Sequence, residues 1–151
     1  MAQIDLQLLK KLRDETAASI ADCRRALDEA SGDYKKALAW LQKRATEIAA
    51  KKADRETSQG LIEAYIHQGG KVGVLVELLC ETDFVAKTDE FKHLAKEIGM
   101  QVAAMDPKDV AQLEKQAYIR DGSQTIEDLV KNVIGKIGEN VTIKRFIRFE
   151  I

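Results

Sequence analysis

The chain has 151 residues, 45% hydrophobic and 32% charged, with a single proline. That is enough for one ordinary domain or a small one joined to a modest one, and the profile is helix-rich and globular, which excludes a disordered or fibrous chain. Basic and acidic residues nearly cancel, for a formal net charge of -1, so no global field draws the chain to phosphate backbones or anionic lipid, and nucleic acid is not an expected partner.

From Leu6 the leucines Leu6, Leu9 and Leu12 make one apolar stripe, which Asp14-Glu15-Thr16-Ala17-Ala18 interrupts. Ser19 is placed to cap a second helix with Asp22 at its N3 position, a capping box, and Ile20, Cys23, Ala26 and Leu27 share one face of it. Ser31-Gly32-Asp33 ends that helix. The set Tyr34, Ala37, Leu38, Leu41, Ala45 and Ile48 then lies on one side of a third helix. Lys51 to Gly60 carries charge without periodicity and reads as a solvated helix tail followed by a linker, which places a domain boundary near residue 55. A three-helix bundle of this size has little core and is marginal alone.

The period then changes from 3.6 to 2. Ile62, Ala64 and Ile66 alternate with Glu63, Tyr65 and His67, Gln68-Gly69-Gly70-Lys71 makes a turn, and Val72, Val74, Val76, Leu78 and Cys80 resume the alternation, which predicts a β-hairpin. Phe91, Leu94, Ala95, Ile98, Val102 and Met105 form a helical stripe expected to pack on the hairpin's apolar face. Asp106-Pro107 offers an N-cap and a proline at N1 for a short helix through Tyr118. Thr125 and Asp128 form another capping box before Ile126, Leu129, Val130, Val133, Ile134 and Ile137, with Gly138 as the stop. A final strand follows, in which Val141, Ile143, Ile147 and Phe149 alternate while Arg145 breaks the phase, predicting a bulge or an edge position. The whole is an α+β chain: a three-helix unit, then a three-stranded antiparallel sheet covered by helices.

The longest apolar run, Val72 to Cys80, is interrupted by Glu77 and falls far short of the roughly 20 residues that span a bilayer. Met1-Ala2-Gln3-Ile4-Asp5 has neither a basic start nor an apolar stretch, and no Arg-rich transit segment follows. The expectation is a cytosol-like compartment, either bacterial cytoplasm or an organellar matrix from which a presequence has been removed, with no membrane association. Cys23 and Cys80 lie far apart inside apolar patterns, which argues against a disulfide framework or a zinc site. They read as small buried hydrophobes, so no metal or cofactor is expected.

Catalytic chemistry needs a nucleophile, a base and an orienting group, and Cys23, Cys80, His67 and His93 share no motif that supplies them. Gly69-Gly70-Lys71 lacks the Ser or Thr, the preceding glycine spacing and the following helix of a phosphate loop, and is a hairpin turn. No enzyme is expected. The carboxylate pairs Asp28-Glu29 and Glu127-Asp128 sit at helix ends, where dipole compensation accounts for them.

The segment Cys80-Glu81-Thr82-Asp83-Phe84-Val85-Ala86-Lys87-Thr88 is different. It leaves a buried strand through a polar step and places Phe84-Val85 before the amphipathic helix. Spacing alone leaves two readings: Phe84 packs back on its own core with Thr82 as a simple N-cap, or it faces outward toward a partner.

At these residues the chain resembles the elongation factor Ts family, in three blocks that keep the family's order. Thr16 to Leu27 is similar to the family's T-G-A-G-M-M-D-C-K-K-A-L; Val74 to Lys87 contains its T-D-F-V after a hydrophobic strand; Lys136-Ile137-Gly138-Glu139-Asn140 matches its K-I-G-E-N, followed by a strand with Arg145 and Arg148. The resemblance implies a ubiquitin-associated-like three-helix domain over residues 1–55 and an α+β, dimerisation-type core over 56–151. It also implies a translation factor that binds the GTPase elongation factor Tu and promotes GDP release by distorting its magnesium and phosphate-binding site. Thr82, Asp83, Phe84 and Val85 are the implied intruding segment, with further contacts from Arg13, Ile20, Ala21 and Arg24 and from the Ile137-Gly138 corner. Here Ala17 and Ser19 stand for the family's two glycines, Ile20-Ala21 for its Met-Met, and Arg24 for a lysine. The core is single and abbreviated, which leads to the expectation of a homodimer through the sheet edge or the basic final strand. An alternative from another class is an adaptor whose three-helix unit binds a ubiquitin-like or nascent-chain partner; it accounts for residues 1 to 50 but for neither T-D-F-V nor K-I-G-E-N.

Overall fold

A computed structural model describes residues 4–151. The leaderless start expected at Met1 to Gln3 therefore lies outside the described residues. Three capped helices open the chain. Asp5 accepts the Gln7 N–H at 2.8 Å to begin α1 (Leu6–Thr16), and Ala17, left-handed at φ 50°, ends it. Ser19 caps α2 (Ile20–Glu29), and Asp33 accepts the Lys36 N–H at 3.0 Å to begin α3 (Tyr34–Lys52). Leu12, Cys23, Ala26, Leu27, Ala37 and Leu41 are buried together between them.

Two local expectations need correction. Leu6 is 75% exposed; Leu9 joins Leu12 as expected, and Leu8 takes the place of Leu6. Steps of three residues drift about 60° each around a helix, so Leu6 points roughly 120° away from Leu12. The expected box at Ser19 is only half made: its hydroxyl accepts from the Asp22 N–H at 3.0 Å and donates to the Asp22 carboxylate at 2.9 Å, which leaves that carboxylate paired without the Ser19 N–H.

The sheet comprises β1 (Gln59–Ile66), β2 (Val72–Cys80) and β5 (Val141–Glu150), antiparallel in the order β1-β2-β5. Its covered face carries Leu61 and Tyr65, then Val74, Val76, Leu78 and Cys80, then Val141 and Ile143. Ile62, Ala64 and Ile66 lie on the opposite, exposed face, which reverses the phase read from β1. Both alternating sets of β1 offer large apolar side chains, Leu61 and Tyr65 in one and Ile62 and Ile66 in the other, and the more apolar set, free of Glu63, is the one left exposed. The turn chooses the face: the His67 N–H donates to the Val72 carbonyl at 2.9 Å, and Gln68 to Lys71, with Gly69 and Gly70 at positive φ, close the loop. That parity sets odd-numbered β1 residues opposite the even-numbered core residues of β2. The irregularity expected at Arg145 is present as a register shift, with Glu77 opposite Arg145 but Leu78 opposite Ile143.

After a one-turn helix, α4 (Asp83–Ala86), the long α5 (Asp89–Met105) lies on the sheet and buries Phe91, Leu94, Ala95, Ile98 and Val102; Met105, expected in the stripe, is half exposed. Asp106 closes α5 in the left-handed region, φ 45°, so it cannot also be the extended N-cap of the next helix. That role falls to Asp109, and α6 runs only over Val110–Lys115. The residues expected to continue it instead form β3 (Ala117–Tyr118), paired with β4 (Asp121–Thr125). Long-range polar contacts hold this ribbon against α5. Buried Gln101 donates to the Gln116 side chain at 3.2 Å and the Ala117 carbonyl at 3.1 Å, and accepts the Ile119 N–H at 3.0 Å. Buried Glu97 receives the Tyr118 hydroxyl and pairs with Arg120 at 2.7 Å. Burial, reinforced by that carboxylate, pushes the Tyr118 hydroxyl pKa upward.

Helix α7 (Ile126–Ile137) opens on the expected reciprocal box of Thr125 and Asp128 and closes on Gly138, φ 74°. It packs against α3, where a Cβ on Gly135 would meet the Ala45 Cβ at 3.3 Å. Ala49 of α3 is buried within the second apolar cluster, with Ile48 packed against it. One continuous helix therefore contributes to both cores.

Candidate functional site

The buried strand β2 ends at Cys80, and the next residues leave the core in one turn. Thr82 is extended, φ -125° and ψ 155°, and its hydroxyl accepts the Val85 N–H at 3.4 Å, the N-cap expected of it. Four residues then wind as α4. Thr88, whose hydroxyl donates to the Val85 carbonyl at 2.7 Å, starts α5 immediately afterward. Within that single turn Ala86 is buried and Val85 packs on the core. Phe84 is 81% exposed, which decides between the two sequence readings against packing on its own core. An aromatic ring left in water forgoes roughly 1.5–3 kcal/mol of burial. Asp83 is exposed beside it and pairs with Lys87 at 3.3 Å.

The corner between α7 and β5 holds this turn from the other side. The Glu139 carboxylate accepts the Thr82 N–H at 3.0 Å on one oxygen and the Thr82 hydroxyl at 2.8 Å on the other. The Asn140 N–H donates to the Glu81 carboxylate at 2.8 Å, while its side-chain amide reaches the Arg55 carbonyl at 2.9 Å and the Ala53 carbonyl at 3.4 Å. Arg55 lies 3.7 Å from Glu81, and Lys52 donates to the Gly138 carbonyl. Thus the link after α3, the corner at 138–140 and the Glu81-Thr82 step form one polar knot. Burial, with Glu139 nearby, raises the Cys80 thiol pKa.

Thr82, Asp83, Phe84 and Val85 are joined to Ile137 and Gly138 through this knot. Arg13, in the last turn of α1, and Ile20, Ala21 and Arg24, on the exposed side of α2, belong elsewhere. Ser19 and Asp22, beside them, line a groove that runs along α7 from Asp128 through Asn132 to Lys136. With 12 residues, α7 spans about 18 Å. The expected contacts thus lie on two units of the chain, the helices α1 and α2 and the knot around Thr82. Glu81, Glu139, Asn140 and Lys52 were not singled out as site residues; the only signal for Glu139 and Asn140 is their place in K-I-G-E-N, since their partners are distant in sequence.

Among the described residues no cluster of three His, Cys, Asp or Glu side chains could hold a metal ion. No described helix is long and apolar enough to cross a membrane. His67 contacts Tyr65 at 3.1 Å and His93 lies 3.9 Å from Glu97, so the two histidines have separate surroundings.

Residues 81–151 match the protein family described as Elongation factor TS. The chain is 43% identical over 192 aligned positions to elongation factor Ts of Thermoanaerobacter sp. (strain X514), an alignment that covers 97% of this chain and 94% of the relative. It is 42% identical to elongation factor Ts of Carboxydothermus hydrogenoformans, covering 98% and 89%, and 44% identical to that of Nostoc sp. (strain PCC 7120), covering 100% of this chain but 48% of the relative. The first alignment is longer than the 151-residue chain, so that relative carries residues with no counterpart here. With such identity over nearly the full length of both sequences, and with the T-D-F-V turn and the K-I-G-E-N corner joined in space, the chain belongs to the elongation factor Ts family of translation elongation factors.

Proposed function

We propose that this protein binds elongation factor Tu and promotes release of GDP by distorting the GTPase's magnesium and phosphate-binding site, with Asp83 and Phe84 as the intruding pair. The observation that carries this reading is the exposure of Phe84 at the tip of a turn whose other apolar residues face inward. The protein makes and breaks no covalent bond and needs no cofactor. It acts as one side of a coupling between two binding sites, so GDP must weaken its binding to the GTPase by the same factor by which it weakens GDP.

A ten-thousand-fold acceleration of release corresponds to about 5.5 kcal/mol of differential stabilisation. Burial of one phenylalanine supplies roughly 1.5–3 kcal/mol, so Phe84 acts with other contacts. Arg13, Ile20, Ala21 and Arg24 on the three-helix unit and the Ile137-Gly138 corner are the proposed contributors. Release of a fluorescent GDP analogue from elongation factor Tu tests the reading. The native chain accelerates release, and Phe84→Ala lowers that acceleration roughly ten- to hundred-fold. No acceleration by the native chain would sink the exchange reading; equal acceleration by the variant would remove only Phe84's role.

We also propose a homodimer, supported by a second observation. The outer face of the sheet carries Ile62, Ile66, Leu75, Ile147 and Phe149, all exposed. Their rows run across the strands: Ile66, Gly73 and Phe149, then Ala64, Leu75 and Ile147. The charged pair Glu77 and Arg145 on this face is already joined at 2.6 Å, so the two charges offset each other. A second copy of the same apolar face matches it, as two sheets stacked with two-fold symmetry. The basic final strand is less available than expected, because Arg148 turns to the covered side and donates to the Ala103 carbonyl near the end of α5 at 3.1 and 3.2 Å.

A further inference from the structure

We infer that Glu139 is a positioning residue for nucleotide exchange: its carboxylate clamps Thr82 and so sets the direction in which Phe84 projects. The inference rests on the exchange reading above and adds a residue that never needs to touch the partner.

Helix α4 has only four residues and cannot hold itself together, because a single turn fixes several backbone dihedrals for one hydrogen bond. Its direction therefore depends on what holds it at each end: Val85 and Ala86 on the core, and its N-cap Thr82 at the start. Thr82 is held at three points: its N–H and its hydroxyl both donate to Glu139, at 3.0 and 2.8 Å, while the same hydroxyl oxygen accepts the Val85 N–H at 3.4 Å. The two bonds to Glu139 are charge-assisted and end on separate oxygens of one carboxylate, an arrangement that fixes orientation as well as distance. Glu139 is itself anchored. It follows Gly138, the left-handed stop of α7, whose N–H donates to the Ile134 carbonyl at 2.9 Å. It precedes Asn140, whose N–H holds Glu81 and whose amide holds the carbonyls of Ala53 and Arg55.

The two residues before Asp83 are thus both tied to the α7–β5 corner. Phe84, which makes no core contact to hold it, inherits its position from that tie together with the inward-facing Val85 and Ala86. A side chain ordered before binding loses less freedom on docking, and this is how a clamp remote from the partner acts on exchange.

A double-mutant cycle read by GDP release from elongation factor Tu tests the inference. Glu139→Ala lowers the maximal acceleration about ten-fold in the native background and changes it less than two-fold when Phe84 is already Ala, since residues acting through one another are not additive. Glu139→Gln restores most of the loss, because its amide can still accept the Thr82 N–H and donate to the hydroxyl. An equal effect in both backgrounds would place Glu139's action elsewhere and overturn the inference, as would a folded Glu139→Ala chain with native acceleration. Thr82→Val, which removes the hydroxyl and leaves the carboxylate, is the second variant should Glu139→Ala not fold; it reproduces the loss, and native acceleration by it would count against the clamp. If the native chain gives no acceleration, the exchange reading fails and takes the positioning role with it. Amide hydrogen exchange of the chain alone then judges the clamp separately: Glu139→Ala removes protection at Thr82 and Val85 while β2 and α7 keep theirs, and unchanged protection there would overturn it.

Discussion

Among the glycines, Gly60 has the least room for change. It sits on β1 at φ 154°, where a Cβ would come within 2.0 Å of the Leu78 carbonyl oxygen and 2.8 Å of the Leu79 Cα, both backbone atoms of the neighbouring strand. Backbone in a paired strand cannot step aside as a flexible side chain can, so Gly60→Ala must part β1 from β2. Overpacking of this kind lowers stability by about 3 kcal/mol, an outcome that urea denaturation measures directly. Phe84 is the converse case: its ring is exposed, so Phe84→Ala leaves the urea midpoint nearly unchanged while exchange falls. Glu139 shows what local pattern cannot reveal. Nothing in its neighbourhood announces an acceptor for Thr82, 57 positions away, because a carboxylate finds its donors only once the chain has folded.

Elements with strong periodicity and a chemical stop were legible in advance. Helix α7 has its apolar stripe, its Thr125-Asp128 box and Gly138, and the structure keeps all three. The ribbon β3–β4 was not legible, since Asp121-Gly122-Ser123-Gln124-Thr125 has no apolar alternation and is held by Gln101 and Glu97 from another element. Its loop carries its own titrating group. The Asp121 carboxylate accepts the Ser123 hydroxyl at 2.6 Å, the Ser123 N–H at 3.1 Å and the Gln124 side chain at 3.0 Å, and these bonds hold its pKa below the usual aspartate value. A depressed acid stabilises the fold above its unfolded pKa and loses that contribution as pH falls through its folded pKa. Ser123 amide protection is therefore expected to be constant at neutral pH and to drop on acidification below the ordinary aspartate range. In Asp121→Asn that acid-dependent drop disappears; persistence of the same drop would remove the carboxylate from the account.

At the scale of the whole molecule, α3 joins two apolar clusters and the sheet leaves one apolar face uncovered. If two copies stack on that face, Leu75→Glu places like charges against each other at its centre, with no partner to neutralise them. Sedimentation is expected to give the native chain near twice its 16.9 kDa mass at micromolar concentration and the Leu75→Glu variant at 16.9 kDa. A native monomer would end the dimer proposal and leave the exchange reading untouched, since Phe84 and Glu139 lie at the α4 turn and the α7–β5 corner.

Periodicity, caps and turn residues were sufficient to read the α+β class, the three opening helices, the hairpin, the long helix and the irregularity at Arg145, because each depends on neighbours within a few residues. Three features were decided only by tertiary structure. The face of β1 depends on the parity of the 67–72 turn, because each of its alternating sets carries large apolar residues. The exposure of Phe84 depends on Val85 and Ala86 taking the inward positions of a one-turn helix. The clamp on Thr82 depends on bringing Glu139 back to β2 across α5, α6 and α7. Short-range propensities specify elements, but which side of an element meets water and which distant acceptor meets a given donor are settled only when the cores close.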